Sequence, residues 1–172
     1  MEKRRQLVGE SGIFTQDVFE VLINYEISRV QRYPSPLALL HIALATGNYS
    51  ADLQKKSRDG LTNLLNRTLR VSDVPAHFGE DFLVLLPATD EIGSRAVADR
   101  ILGHFRTTQN LNTGRLSNLN AYIGLTTRSA GAALTAEEML AEASVAMNEA
   151  RARQSVRYML FSDIAKDLPK PA

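Results

Sequence analysis

The chain has 172 residues, 44% hydrophobic and 23% charged, a length and balance that suit one domain with its own core and exclude a disordered chain. Its 20 Lys+Arg stand against 19 Asp+Glu, and a net charge of +1 excludes a broadly basic partner of nucleic acid polymers. The absence of cysteine excludes disulfides, thiolate catalysis and cysteine-based zinc sites, and no apolar run reaches the roughly 18 residues of a membrane span.

Residues 1–10 (MEKRRQLVGE) are polar and mixed in charge and read as a linker or tail. A first helix is expected over 16–33, with Thr15 as N-cap, Asp17 in the first turn and an inward stripe of Val18, Leu22, Tyr25 and Ile27. Pro34 and Pro36 stop it. The run LALLHIALA (37–45) reads as a buried central strand. After the loop TGNYS, Ser50 caps a second helix that ends near Arg70 and turns Leu61, Leu64, Leu65 and Leu69 inward. VPAHF and FLVLLPA (82–88) flank Gly79-Glu80-Asp81, a pattern that predicts a β-hairpin with a three-residue turn. Pro75 places the first of these strands at an edge. Phe78 and Phe82 pack that hairpin.

A third helix is expected over 91–106, capped by Thr89 or Asp90, with Ile92, Val97, Ile101, Leu102 and Phe105 inward. Leu119, Ala121, Ile123 and Leu125 alternate with more polar residues, the period of a strand. Thr135 and Glu138 form a capping box ahead of a fourth helix that runs to about Arg153. VRYMLF (156–161) is a last strand, giving a domain over 11–162 and a loose tail over 163–172. No internal repeat or low-complexity tract is visible.

The order α-β-α-β-β-α-β-α-β departs from strict βα alternation at the hairpin. It contains a βαββαβ unit, and so predicts an α+β, ferredoxin-like fold with one extra αβ pair and a leading helix, its central sheet mainly antiparallel.

Several segments resemble, in the right order, the GGDEF domains of bacterial diguanylate cyclases. His77-Phe78-Gly79-Glu80-Asp81-Phe82 and the apolar strand ending in Leu86-Pro87 resemble the family signature R-Y-G-G/E-D-E-F followed by its strand. Glu10 to Phe19 resembles L-T-G-L-x-N-R-R-x-F, and Pro36 to Leu40 is similar to the lead into the D-I-D-x-F-K strand. Ala121-Tyr122-Ile123-Gly124 stands where the family has Ser-Ile-Gly, and Ala143 through Arg151 resembles A-D-x-A-L-Y-x-A-K. The resemblance covers roughly residues 8 to 162 and implies the same fold as the element order.

What the resemblance implies for chemistry is a condensation of two GTP into cyclic di-GMP, assisted by two divalent metals held on carboxylate oxygens. At the metal-binding Asp of D-I-D this chain has Ala43, and a methyl group binds no Mg²⁺. Gly79, Glu80 and Asp81 are remnants of a signature turn shortened by one residue, and the family's guanine-reading Asn and Asp have no counterpart. Arg151 stands at the family's Lys and is a candidate phosphate contact. Arg70-Val71-Ser72-Asp73 has the R-x-x-D pattern and the spacing of the family's inhibitory site, which implies binding of cyclic di-GMP through Arg70 and Asp73.

Simpler readings stand beside these. Arg70 suits the last turn of a helix, Asp73 suits a loop, and Glu80 and Asp81 suit an ordinary turn. Arg151, Arg153 and Arg157 fit a solvated face. His41 reads as a hydrogen-bonded core or edge residue, the three histidines show no metal spacing, and no serine has a triad partner at motif level. The expectation is a cytoplasmic, catalytically degenerate GGDEF-like regulatory domain that binds cyclic di-GMP or GTP. It needs no cofactor (Mg²⁺ only with residual cyclase activity) and acts as a homodimer or with an upstream sensory or receiver domain. A weakly active cyclase and a relay or dimerisation module that binds no nucleotide are the alternatives.

Overall fold

The computed structural model describes residues 12–45, 47, 49–111, 120–154 and 158–167. The expected 1–10 linker, Leu119, Arg157 and residues 168–172 of the tail lie outside them.

Helix α1 (Gln16–Arg32) leads into strand β1 (Leu37–Ala45), helix α2 (Ala51–Thr68) and the hairpin of β2 (Val74–Phe78) and β3 (Asp81–Pro87). Helix α3 (Glu91–Leu111), strand β4 (Asn120–Arg128), helix α4 (Ala136–Arg153), the short strand β5 (Tyr158–Leu160) and helix α5 (Phe161–Asp167) follow. One five-stranded sheet has the order β2-β3-β1-β4-β5, antiparallel except between β4 and β5. This is the α+β, ferredoxin-like arrangement expected from the element order, with α4-β5 as the extra pair and α1 as the leading helix. Among the described residues no helix is long and apolar enough to cross a membrane.

β1 is buried on both faces, which explains its unbroken apolar run. Ala38, Leu40 and Ile42 join Phe82, Val84 and Leu86 of β3 and Ile123 and Leu125 of β4 under α2 and α3. Leu37 and Leu39 join Ala76, Leu83 and Leu85 under α1 and the start of α4. His41 takes the next place on that second face.

Several local expectations change. On α1 the buried stripe is Phe19, Ile23, Ile27 and Val30, while Tyr25 is 68% exposed. The helix carries two apolar stripes about 130° apart, and the one with the larger Phe and Ile side chains faces the sheet. Thr15 stands at the N-cap but its side chain makes no capping bond. Asp90 rather than Thr89 caps α3, accepting from the Gly93 N–H at 2.8 Å, and Ile92 in the exposed first turn points to solvent. The capping box of Thr135 and Glu138 forms as expected. Residues 163–167, expected as loose tail, instead belong to α5, which buries Ile164, and Asp163 accepts from Arg95 at 2.8 Å.

Helix α4 lies against β4 at backbone contact. A Cβ on Gly124 would collide with the Ala143 carbonyl oxygen and the Met147 N–H, and would lie 2.8 Å from the Met147 Cα. Glu142 of α4 ties down the same pair of elements, accepting from Arg128 Nη2 at 2.6 Å and from the Thr126 hydroxyl. Because the obstructing atoms are backbone, no side-chain rotation relieves the clash. Gly124→Ala is therefore expected to destabilise the domain by about 3 kcal/mol or more, measured as a lowered midpoint in urea unfolding. An unchanged midpoint would show that α4 does not pack this closely.

Candidate functional site

The candidate site lies where the end of β1 meets the β2–β3 turn. The turn has two loop residues, not three. Gly79 has φ +57° at the first loop position, the place where a type II′ turn demands glycine, and Glu80 is the second. Asp81 thus belongs to β3, paired with Phe78. Because side chains alternate along a strand, Asp81 shares a face with Leu83 and Leu85, which is also the face of His41.

His41 is 3% exposed and links three elements. Its Nε2 lies 2.8 Å from Asp81 Oδ2 on β3, and its Nδ1 lies 2.8 Å from Ser144 Oγ on α4. A carboxylate only accepts, so in the neutral imidazole Nε2–H donates to Asp81 and Nδ1 accepts from the Ser144 hydroxyl. The Phe78 ring meets the imidazole edge-on at 5.5 Å between centroids. The cross-strand partner of His41 on β4 is Gly124, whose missing side chain leaves α4 close enough for Ser144 to reach the ring.

This Ser-His-Asp chain, which no motif in the sequence marks, has the hydrogen-bond order of an acyl-transfer triad. Its surroundings do not suit that chemistry. Ser144 sits inside α4, where each backbone N–H bonds the carbonyl one turn back, leaving no N–H pair for an oxyanion. The arrangement is a buried polar link that holds α4, β1 and β3 in register.

Ala43 follows two residues later on the same face of β1, fully buried, one step beyond the Ile42–Phe82 pair and therefore level with Asp81. On the other side of the turn, Arg58 of α2 donates from Nη1 to the Glu80 carbonyl oxygen and to Glu80 Oε2, both at 2.7 Å. Its Nη2 donates to the Gly79 carbonyl oxygen at 3.3 Å, and its guanidinium lies 5.4 Å from the Phe82 ring centroid. The sequence reading missed both Arg58 and His41 as partners of these carboxylates. Among the described residues no three His, Asp or Glu side chains converge as metal ligands.

Arg70 and Asp73 lie elsewhere, past the end of α2. Arg70 is not in the last helical turn as expected: the helix ends at Thr68, and Leu69 is already extended. The four residues close a turn on themselves, with Asp73 Oδ2 accepting from the Arg70 N–H at 2.8 Å and the Asp73 N–H donating to the Arg70 carbonyl at 3.1 Å. Arg70 is exposed, whereas Asp73 is 7% exposed. The two side chains therefore do not share one open face. Arg100 of α3 braces the same corner, donating to the Thr68 carbonyl at 3.0 Å. Burial pushes the Asp73 carboxyl above its ordinary value, against the opposing pull of the Arg70 N–H, Arg70 and Arg100. Arg151 is exposed in the last turn of α4, about two helical turns from Ser144.

Solved structures similar to this chain share its fold. The diguanylate cyclase SiaD from Pseudomonas aeruginosa, solved with its activator SiaC, aligns with a TM-score of 0.76 at 19% identity over 88% of this chain. The chain spans 60% of the SiaD chain. The GGDEF domain of DgcB from Caulobacter crescentus, solved with c-di-GMP, aligns with a TM-score of 0.78 at 11% identity over 94% of this chain and 96% of that one. The FimX GGDEF domain from Pseudomonas aeruginosa aligns at 0.68 and 17% identity, over 87% and 94%. No family model matches the sequence, and no curated protein does. At these identities the likeness establishes the fold, which is that of a GGDEF domain.

Asp73 yields a pH prediction. A carboxyl whose pKa is higher in the folded than in the unfolded chain gives stability that is complete below the unfolded value and is lost as pH rises through the folded one. Asp73→Asn keeps an acceptor for the Arg70 N–H and has no charge to bury. The variant is expected to gain stability relative to the parent as pH rises from about 4, seen in urea midpoints across pH 3.5–7. Parallel curves would mean that Asp73 is not desolvated.

Proposed function

We propose that this chain, folded as a GGDEF domain, is a regulatory domain that makes no cyclic di-GMP. The observation that carries the reading is the engagement of the signature carboxylates by the protein's own cations and donors. A Mg²⁺ bridging a triphosphate needs converging hard oxygens. Ala43 offers none, Asp81 accepts from His41, and Glu80 accepts from Arg58. The residues therefore do not fit the metal pair of a cyclase. With Mg²⁺ or Mn²⁺ and GTP, the purified chain is expected to form no cyclic di-GMP by mass spectrometry, and steady product formation would overturn the reading.

The finer part of the proposal is that the domain senses the dinucleotide. Three features support it: the R-x-x-D spacing, an exposed Arg70 beside Arg100 at one corner, and a neighbour of the same fold, DgcB, solved with c-di-GMP. In this reading Arg70 forks onto a phosphate or a guanine edge. Asp73 holds the turn that presents it. Calorimetric titration with cyclic di-GMP is expected to show micromolar binding that weakens at least about tenfold in Arg70→Ala, the loss of one charge-assisted contact. Absence of heat with both proteins would leave the fold as a relay that binds no nucleotide.

A further inference from the structure

We propose that the outer face of α1 is a self-association surface that pairs two copies of this chain across a twofold axis, antiparallel helix to helix. The helix is amphipathic twice over. Phe19, Ile23, Ile27 and Val30 occupy the face toward the sheet. Val18, Val21, Leu22 and Tyr25 form a second stripe with the i, i+3, i+4, i+7 spacing of a helix-packing seam. Among the described residues nothing covers its outer edge: Val21 is 69% exposed and Tyr25 68%. Val21 points directly away from the core, because on a helix of 3.6 residues per turn it lies about 180° from the centre of the buried stripe.

The charges at the ends of this face select the occupant. Asp17 is exposed in the first turn and Arg32 is exposed in the last. A second copy laid parallel would set Asp17 on Asp17 and Arg32 on Arg32. Laid antiparallel, it sets each Asp17 beside the other copy's Arg32 and opposes the two helix dipoles. In that register the axis passes between Asn24 and Tyr25. Each Tyr25 then packs against Tyr25 and Val21 of the second copy, and each Val21 faces Ser28. The same patch thus serves both copies, as a closed twofold contact requires. One helix per copy buries less than the roughly 1,200 Å² of stable complexes, so the association is weak and concentration-dependent.

Sedimentation velocity on the full chain, from about 10 µM to 1 mM, tests this; a dissociation constant in the high-micromolar range is expected. Asp17→Arg and Arg32→Asp are each expected to weaken association about tenfold, because every substitution acts twice across the axis. The double variant is expected to restore it. Val21→Glu with Tyr25→Glu is expected to be monomeric with an unchanged melting temperature, since neither residue touches the core. The chain has no cysteine, so Tyr25→Cys gives a clean readout: oxidation is expected to cross-link it as a dimer, with Val71→Cys, more exposed at 84% and outside α1, as the control. A monomer throughout the concentration range, a dimer that survives the two Glu substitutions, or equal cross-linking at position 71 would each overturn the proposal.

Discussion

A helix approaches a sheet to backbone contact only where the sheet has no side chain, and Gly124 is that place. Its bare Cα brings the Ala143 carbonyl and the Met147 N–H of α4 down onto β4. Much else depends on that closeness. Ser144 follows Ala143 on the helix, and His41 is the cross-strand partner of Gly124. The serine hydroxyl therefore reaches an imidazole buried in the sheet, and the imidazole in turn fixes Asp81 at the mouth of the hairpin. A layer of helix, a central strand and a turn are held by one chain of hydrogen bonds.

That chain also decides what the end of β1 presents. Buried polar groups need partners, and a histidine deep in a sheet is tolerable only if both nitrogens find them. Here they are a serine and the carboxylate nearest the strand end. Arg58 does the equivalent from α2, donating to Glu80 and to both loop carbonyls. The hairpin tip is thus braced from both sides of the sheet by the protein itself.

The two outlying features obey the same physics with different outcomes. At the end of α2, Asp73 turns inward to satisfy the Arg70 N–H, and this leaves the arginine side chain outside. On α1, two apolar stripes compete for one sheet face. The bulkier one is buried, so Val21 and Tyr25 remain at the surface, bracketed by charges of opposite sign.

Periodicity, caps and turn residues are local, and they were legible without coordinates. The apolar run of β1, the alternation of β4, the capping box at Thr135 and the Gly79 hairpin predict elements within a few residues, and their order predicts the ferredoxin-like sheet. The order of GGDEF-like segments anticipated the fold, and Ala43 stands where the resemblance implies a metal-binding Asp. The pairs that give the site its character were not legible. Asp81 lies 40 residues from His41 and Ser144 lies 103 from it, while Arg58 and Glu80 are separated by 22. Which side chains meet across such gaps depends on strand register, on a one-residue change in turn length, and on how near a helix lies to a sheet. A sequence pattern carries the period of an element but not its distance from its neighbours. For that reason the chain itself specified strands and helices, and only the packed structure decided which carboxylates were already taken and which helix face was left open.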